Sequence, residues 1–231
     1  IYRGLMEDAT LLIDNVGADI WVVQNNTRGP FAEVSRVPKN LLDRVAVIPG
    51  VRNAREFIYH MIQREHHGKP LRMGVVGLSW PLDKGEWLPL IAGRSLSQAH
   101  YEMVVDQKLG VQLGEKLRLG KETFLVVGIT KGMISSGGDG LAFFTVDDAQ
   151  IIQFDTPGEA VRLERAARDR RGQSNDIFLS QPILTEQLSR PATELPAVRS
   201  PELSAVIVRV AAGADPARVV ATISTWADVS V

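Results

Sequence analysis

Residues 204–231 read SAVIVRVAAGADPARVVATISTWADVSV, and their punctuation sets the outline of the fold. Ser204 to Val210 is a run of β-branched residues and predicts a strand. Asp215-Pro216 then starts a helix. Asp is a good N-cap, and Pro suits the first helical position because its missing N–H would have no intrahelical partner. Val219, Val220, Ile223 and Trp226 or Ala227 recur at helical spacing and supply the buried face. Asp228 to Val231 (DVSV) opens another strand.

The other end of the chain carries the same pattern. Ile1 to Val16 places Leu5, Met6, Ala9, Leu12, Ile13 and Val16 at helical spacing, with Gly17 as a stop. Ala18 to Gln24 (ADIWVVQ) predicts a strand too continuously apolar to have one wet face. Pro38 opens a helix running to Val47, with Leu41, Leu42, Val45 and Ala46 inward, and Pro49-Gly50 ends it. A strand follows from Val51 to Ile62. Two strand–helix–strand units about 140 residues apart predict a split α/β lobe interrupted by a long insertion. A right-handed crossover makes the strands of a unit parallel.

The insertion is rich in short strands. These are Leu71 to Leu78, Glu102 to Val105, and a hairpin of Lys116 to Leu119 and Thr123 to Ile129 turning at Gly120-Lys121, then Leu141 to Val146. Leu109 to Leu113 reads as a short helix. Thr156-Pro157-Gly158-Glu159 fits a capping box leading into an arginine-rich helix that ends at Gly172. Residues 189–202 hold three prolines and read as a linker. The fold class is therefore α+β.

The chain has 231 residues, 45% of them hydrophobic, and a net charge of −1, which lacks the basic footprint of a nucleic-acid binder. It has no cysteine, so disulfides and thiolate metal sites are excluded. No window approaches the roughly 20 apolar residues of a membrane helix. Ile1 is not an initiator methionine, so we expect the chain to be cut from a longer one.

Motifs that would carry chemistry are weak. The loop Ser136 to Gly140 lacks the Lys-Ser/Thr of a phosphate-binding loop and reads as a hairpin turn. No G-x-S-x-G elbow surrounds Ser135 and Ser136. His66 and His67 are neighbours, and adjacent strand residues point to opposite faces, so we expect a turn before Gly68 and no metal. Asp147-Asp148 reads as helix capping and Asp83/Glu86 as solvated turn residues. His60 or His100 with a carboxylate would be needed for a secreted hydrolase or ligand-binding protein. Arg162, Arg165 and Arg168 share a helix side, either a solvated face or a contact for anionic lipid headgroups or an acidic partner. Trp80 and Trp87 flank a proline–glycine turn and are candidates for anchoring an interface or for packing between the two lobes. The expectation is no catalytic residue, no cofactor and no metal, with Trp80, Trp87, Arg162, Arg165 and Arg168 as the interaction surface.

One family matches these features in order. Leu90 to Ile129, LIAGRSLSQAHYEMVVDQKLGVQLGEKLRLGKETFLVVGI, resembles the periplasmic core domain of MacB-like permeases, the FtsX-like branch of ABC transporters. The carrying residues are the Gly93-Arg94 turn, Val104 to Asp106, Gly114 and the strand ending Val-Val-Gly at Gly128. RVAVIPGV (Arg44 to Val51) is similar to the family's first crossover, and SAVIVRVAAGADPARV to its returning strand and second helix. Residues 154–200 depart from the pattern, being longer and more basic.

The resemblance implies two lobes. A porter-like lobe comprises residues 1–70 and 201–231. An inserted β-rich, sabre-like lobe comprises residues 71–200, with an Arg-rich segment near 157–171. It also implies membrane helices on both sides of the chain and a location on the periplasmic side of the bacterial inner membrane. The implied role is non-catalytic mechanotransmission, coupling ATP-driven transmembrane motion to substrate export or extraction. The implied partners are a second permease copy, a cytoplasmic ATPase and a periplasmic membrane-fusion-type adaptor protein.

Overall fold

The computed structural model describes residues 12–13, 15–29, 31, 33–154 and 202–231. Among them lies a ten-stranded sheet whose path is β12-β1-β11-β3-β4-β9-β6-β8-β5, with β7 paired to β8. The strands are β1 (Ile20–Gln24), β3 (Val51–His66), β4 (Lys69–Leu78), β5 (Leu90–Gly93), β6 (Glu102–Asp106), β7 (Lys116–Leu119), β8 (Glu122–Thr130), β9 (Leu141–Thr145), β11 (Ala205–Val210) and β12 (Val229–Ser230). A separate pair joins β2 (Val37–Pro38) to β10 (Glu202–Leu203). The helices are α1 (Leu41–Ala46), α2 (Val146–Phe154) and α3 (Pro216–Ile223).

The chain ends interlock. β11 is antiparallel to both β1 and β3, so β1 and β3 run parallel with β11 between them. β12 is antiparallel to β1, so β11 and β12 run parallel with β1 between them. Two split β-α-β units, β1-α1-β3 and β11-α3-β12, thus share the four strands at one end of this sheet, the terminal sheet. Each lends a strand to the gap in the other. Asp215 caps α3 by accepting from the Ala217 N–H at 2.9 Å, with Pro216 following as expected.

β3 runs 16 residues, past the expected end at Ile62. Val51 to Phe57 pair with β11, whereas Ile58 to His66 pair with β4. One strand therefore serves both the terminal sheet and the insertion. Beyond it, β4 and β9 are parallel, as are β6 and β8, while β6 and β9 are antiparallel. The β7–β8 hairpin forms as expected, with Leu119 opposite Glu122 across Gly120-Lys121.

Both sheet faces are covered, which explains the uninterrupted apolar runs. Successive β9 residues alternate between two cores: Ala142 and Phe144 join one, Leu141 and Phe143 the other. Leu41, Val45, Val219 and Ile223 bring α1 and α3 onto the first core. On the opposite side Phe57 packs against Trp21, with ring centroids 5.0 Å apart, and Phe31 meets both.

Two local expectations change. Pro38 does not open a helix. It pairs with Glu202 in β2, and α1 starts only at Leu41. A proline has no N–H to donate, which suits the margin of a two-residue pair as well as a first helical turn. The short helix expected at Leu109 to Leu113 is instead a 3-10 turn at Gln107–Leu109, capped by the Asp106 carboxylate and closed by Gly110 at φ 69°. The capping box at 156–159, the arginines at 162, 165 and 168, and the linker at 189–201 lie outside the described residues.

Candidate functional site

Buried carboxylates organise the polar interior. Asp83, expected as a solvated turn residue, is 6% exposed. It takes an ion pair from Arg55 Nη1 at 2.7 Å, the Gly85 N–H at 2.9 Å and Trp87 Nε1–H at 3.0 Å. Arg55 also donates to the Val16 carbonyl at 2.8 Å. The loop following β4 is thereby fastened to the first half of β3. A carboxylate can be buried when its lone pairs are matched by donors, and Asp83 has three. Its turn-like neighbours concealed a partner 28 residues away. Trp87 is held by the same carboxylate and stands edge-on to Phe143. Trp80 is half-buried on the same core, with the Lys84 ammonium 5.4 Å from its ring centre.

Asp148, expected as a helix cap, is fully buried. Its oxygens meet His100 Nδ1 and the Tyr101 N–H, each at 2.9 Å. Burial pushes its pKa up, and the two donors only partly oppose that. Glu102 responds in the opposite direction. Burial again acts to raise it, but the Arg94 guanidinium and the N–H groups of Ser97 and Gln98 outweigh this and hold it at about 2. Arg94 is the Arg of the Gly93-Arg94 turn, so that motif locks the turn onto β6.

The histidines fall in three places. His100 pairs with Asp148. His60 is half-buried with neither ring nitrogen partnered among the described residues, and burial, then Arg64, lowers its pKa to about 4. His66 and His67 differ from expectation: they converge. His66 ends β3, and His67 turns to φ 50°, which breaks the alternation that would have put the rings on opposite faces. Their Nε2 atoms lie 2.8 and 3.0 Å from one oxygen of Glu115. The other Glu115 oxygen accepts the Gln112 N–H at 2.8 Å. That donor first, and then His67, lower the Glu115 pKa. The three residues line an open cleft of about 470 Å³ with Gly110, Gln112, Leu113 and Gly114.

The glycine loop closes as a turn. The Gly138 N–H donates to the Ser135 carbonyl at 2.8 Å and the Asp139 N–H to Ser135 Oγ at 3.1 Å. These two amides are engaged with Ser135 rather than aimed at an anion.

One solved structure is similar in fold, and two more align over most of the chain with lower similarity. The periplasmic region of MacB from Actinobacillus actinomycetemcomitans aligns over 89% of this chain and 80% of its own, at 10% identity and a TM-score of 0.52. The extracellular domain of the noncanonic ABC-type transporter YknZ from Gram-positive bacteria aligns over 87% and 88%, at 10% identity and a TM-score of 0.49. A domain of a permease protein from Porphyromonas gingivalis aligns over 87% and 79%, at 13% identity and a TM-score of 0.43. No curated protein sequence matches the chain. The family model of the MacB-like periplasmic core domain matches residues 1–225. By that match, and with the α+β fold it entails, the chain belongs to the MacB-like periplasmic core domains of ABC transporter permeases.

Proposed function

We propose that this domain transmits force outside the membrane, coupling ATP-driven motion of a permease to export or extraction of a substrate, and that it is not itself an enzyme. The observation that carries this reading is β3. It is one unbroken strand of 16 residues, paired with the terminal sheet over its first half and with the insertion over its second. A displacement of the chain ends reaches the insertion through a hydrogen-bonded strand rather than through a linker. The Arg55–Asp83 pair supports the same reading, since it fastens the next loop to that strand.

In this reading the two ends form the porter-like lobe and residues 71–200 the sabre-like lobe. The partners are a second permease copy, an ATPase and a periplasmic adaptor. Trp80, Trp87 and the arginines at 162, 165 and 168 belong to the docking surface. Leu82, 69% exposed between the two tryptophans, gives that loop an apolar crest.

The test uses the full-length transporter in membranes. Two glycines inserted after Phe57 interrupt β3 at the change of partner. ATP hydrolysis should persist while export falls to background. Unchanged export would reject the force-transmission reading. Measurable hydrolase activity in the isolated domain, lost on replacing His100, would favour the enzymatic alternative.

A further inference from the structure

We propose that His66, His67 and Glu115 form a binding site for a single zinc-like transition-metal ion. The ligand atoms of the three residues lie within 4.8 Å of one another. Two imidazole nitrogens and one carboxylate are a donor set that zinc takes in three-ligand sites with an open fourth position. Imidazole selects for zinc, copper and nickel over magnesium and calcium, which prefer all-oxygen shells.

The two nitrogen–oxygen spacings are close to what an ion needs. Ligands about 2.0–2.1 Å from a tetrahedral ion stand roughly 3.3 Å apart. The two nitrogen–oxygen distances here are 2.8 and 3.0 Å, so each must open by a few tenths of an ångström. His67 is free to supply this movement, because its side chain is 78% exposed. His66 and Glu115 are steadier, at 19% and 23%. The carboxylate is already oriented, since its second oxygen holds the Gln112 N–H. Groups that hold a ligand in place commonly matter nearly as much as the ligand itself. The cleft leaves a path for the ion to enter and for water or a substrate group to complete its shell.

Without metal, both rings share one carboxylate oxygen. An ion would replace these hydrogen bonds with coordinate bonds at the same three atoms. It would staple the tip of the β3–β4 hairpin, at Gly68, to the turn before β7. This role does not depend on the transport reading.

The test is calorimetric titration of the isolated chain with zinc chloride, with the histidine side-chain nitrogens followed by NMR. One equivalent should bind at micromolar zinc, and excess magnesium or calcium should not displace it. Only the ring nitrogens of His66 and His67 should shift. His66→Ala, His67→Ala and Glu115→Gln should each weaken binding roughly tenfold or more, and His100→Gln should leave it unchanged. Absence of saturable binding would overturn the proposal. So would equal affinity in the His66→Ala/His67→Ala double variant, or shifts confined to His60 and His100. The wild-type NMR assignment decides the matter even where a variant fails to fold.

Discussion

The terminal sheet and the insertion are built on different kinds of polar contact. In the insertion, two carboxylates are buried and saturated, beside the exposed pair Arg72–Asp139. Glu102 is 3% exposed and Asp106 1%, and Asp106 accepts from Lys108, Thr130 and Met133. In the terminal sheet two ion pairs stand in water. Arg44–Asp228 is 38% and 48% exposed, and Arg36–Glu202 is 52% and 37%. Buried, satisfied networks specify one geometry, whereas exposed pairs add little. The buried network of Glu102 and Asp106 predicts a stiffer insertion, with the terminal sheet relying on apolar packing under α1 and α3. Arg55–Asp83 is the buried pair that spans the two.

Breaking that connection should give the largest effect. Asp83→Ala strands the Arg55 guanidinium at 11% exposure and leaves the Trp87 indole N–H unpaired. A loss of about 3–5 kcal/mol is expected, measured by urea denaturation. Replacing both partners with apolar residues, Arg55→Met with Asp83→Leu, should recover much of it. A double variant as unstable as the single one would show that the site needs its charges.

Hydrogen exchange sharpens the comparison directly. Amides of β6 and β9 should exchange only through global unfolding, and those of β12 through cheaper local opening. Equal protection in the two regions would remove the distinction between stiff and soft.

The buried carboxylates predict a signed pH dependence. Glu102 has a folded pKa of about 2 against an ordinary 4.5, so its stabilisation is complete above 4.5 and is lost as pH falls toward 2. Asp148 is raised, so its cost is present above its raised value and vanishes as pH falls below the ordinary 3.8. Glu102→Gln should flatten the acid loss of stability, and Asp148→Asn should steepen it. Denaturation midpoints at a series of pH values measure both. The smallest effect belongs to the exposed pair. Asp228→Ala should cost no more than about 0.5 kcal/mol, although Arg44 also lies 4.3 Å over the Trp226 ring.

What the sequence disclosed was local. The Asp215-Pro216 helix start, the Gly120-Lys121 turn and the apolar runs of β1 and β9 are short-range patterns with short-range causes. The position of β11 between β1 and β3 is not local, because nothing in SAVIVRV names its neighbours. Pro38 was misread because its partner, Glu202, is remote. Asp83 and Asp148 looked like turn and cap residues because their counter-groups, Arg55 and His100, lie 28 and 48 residues away. The convergence of His66 and His67 turns on a single backbone angle, which residue type does not dictate.

The threading of β1 has a cost in time. The Val210 N–H that bonds to Asp19 lies 191 residues farther along the chain. Loop closure over such a span is slow, and topologies dominated by remote pairings fold slowly. During synthesis Ile20, Trp21, Val22 and Val23 emerge before the insertion, and their two strand neighbours, β11 and β12, only after it. Until then an apolar strand with two open edges waits for a partner, and such a strand readily pairs with other chains. The domain is thus most exposed to misassembly in the interval before its own C-terminal residues arrive.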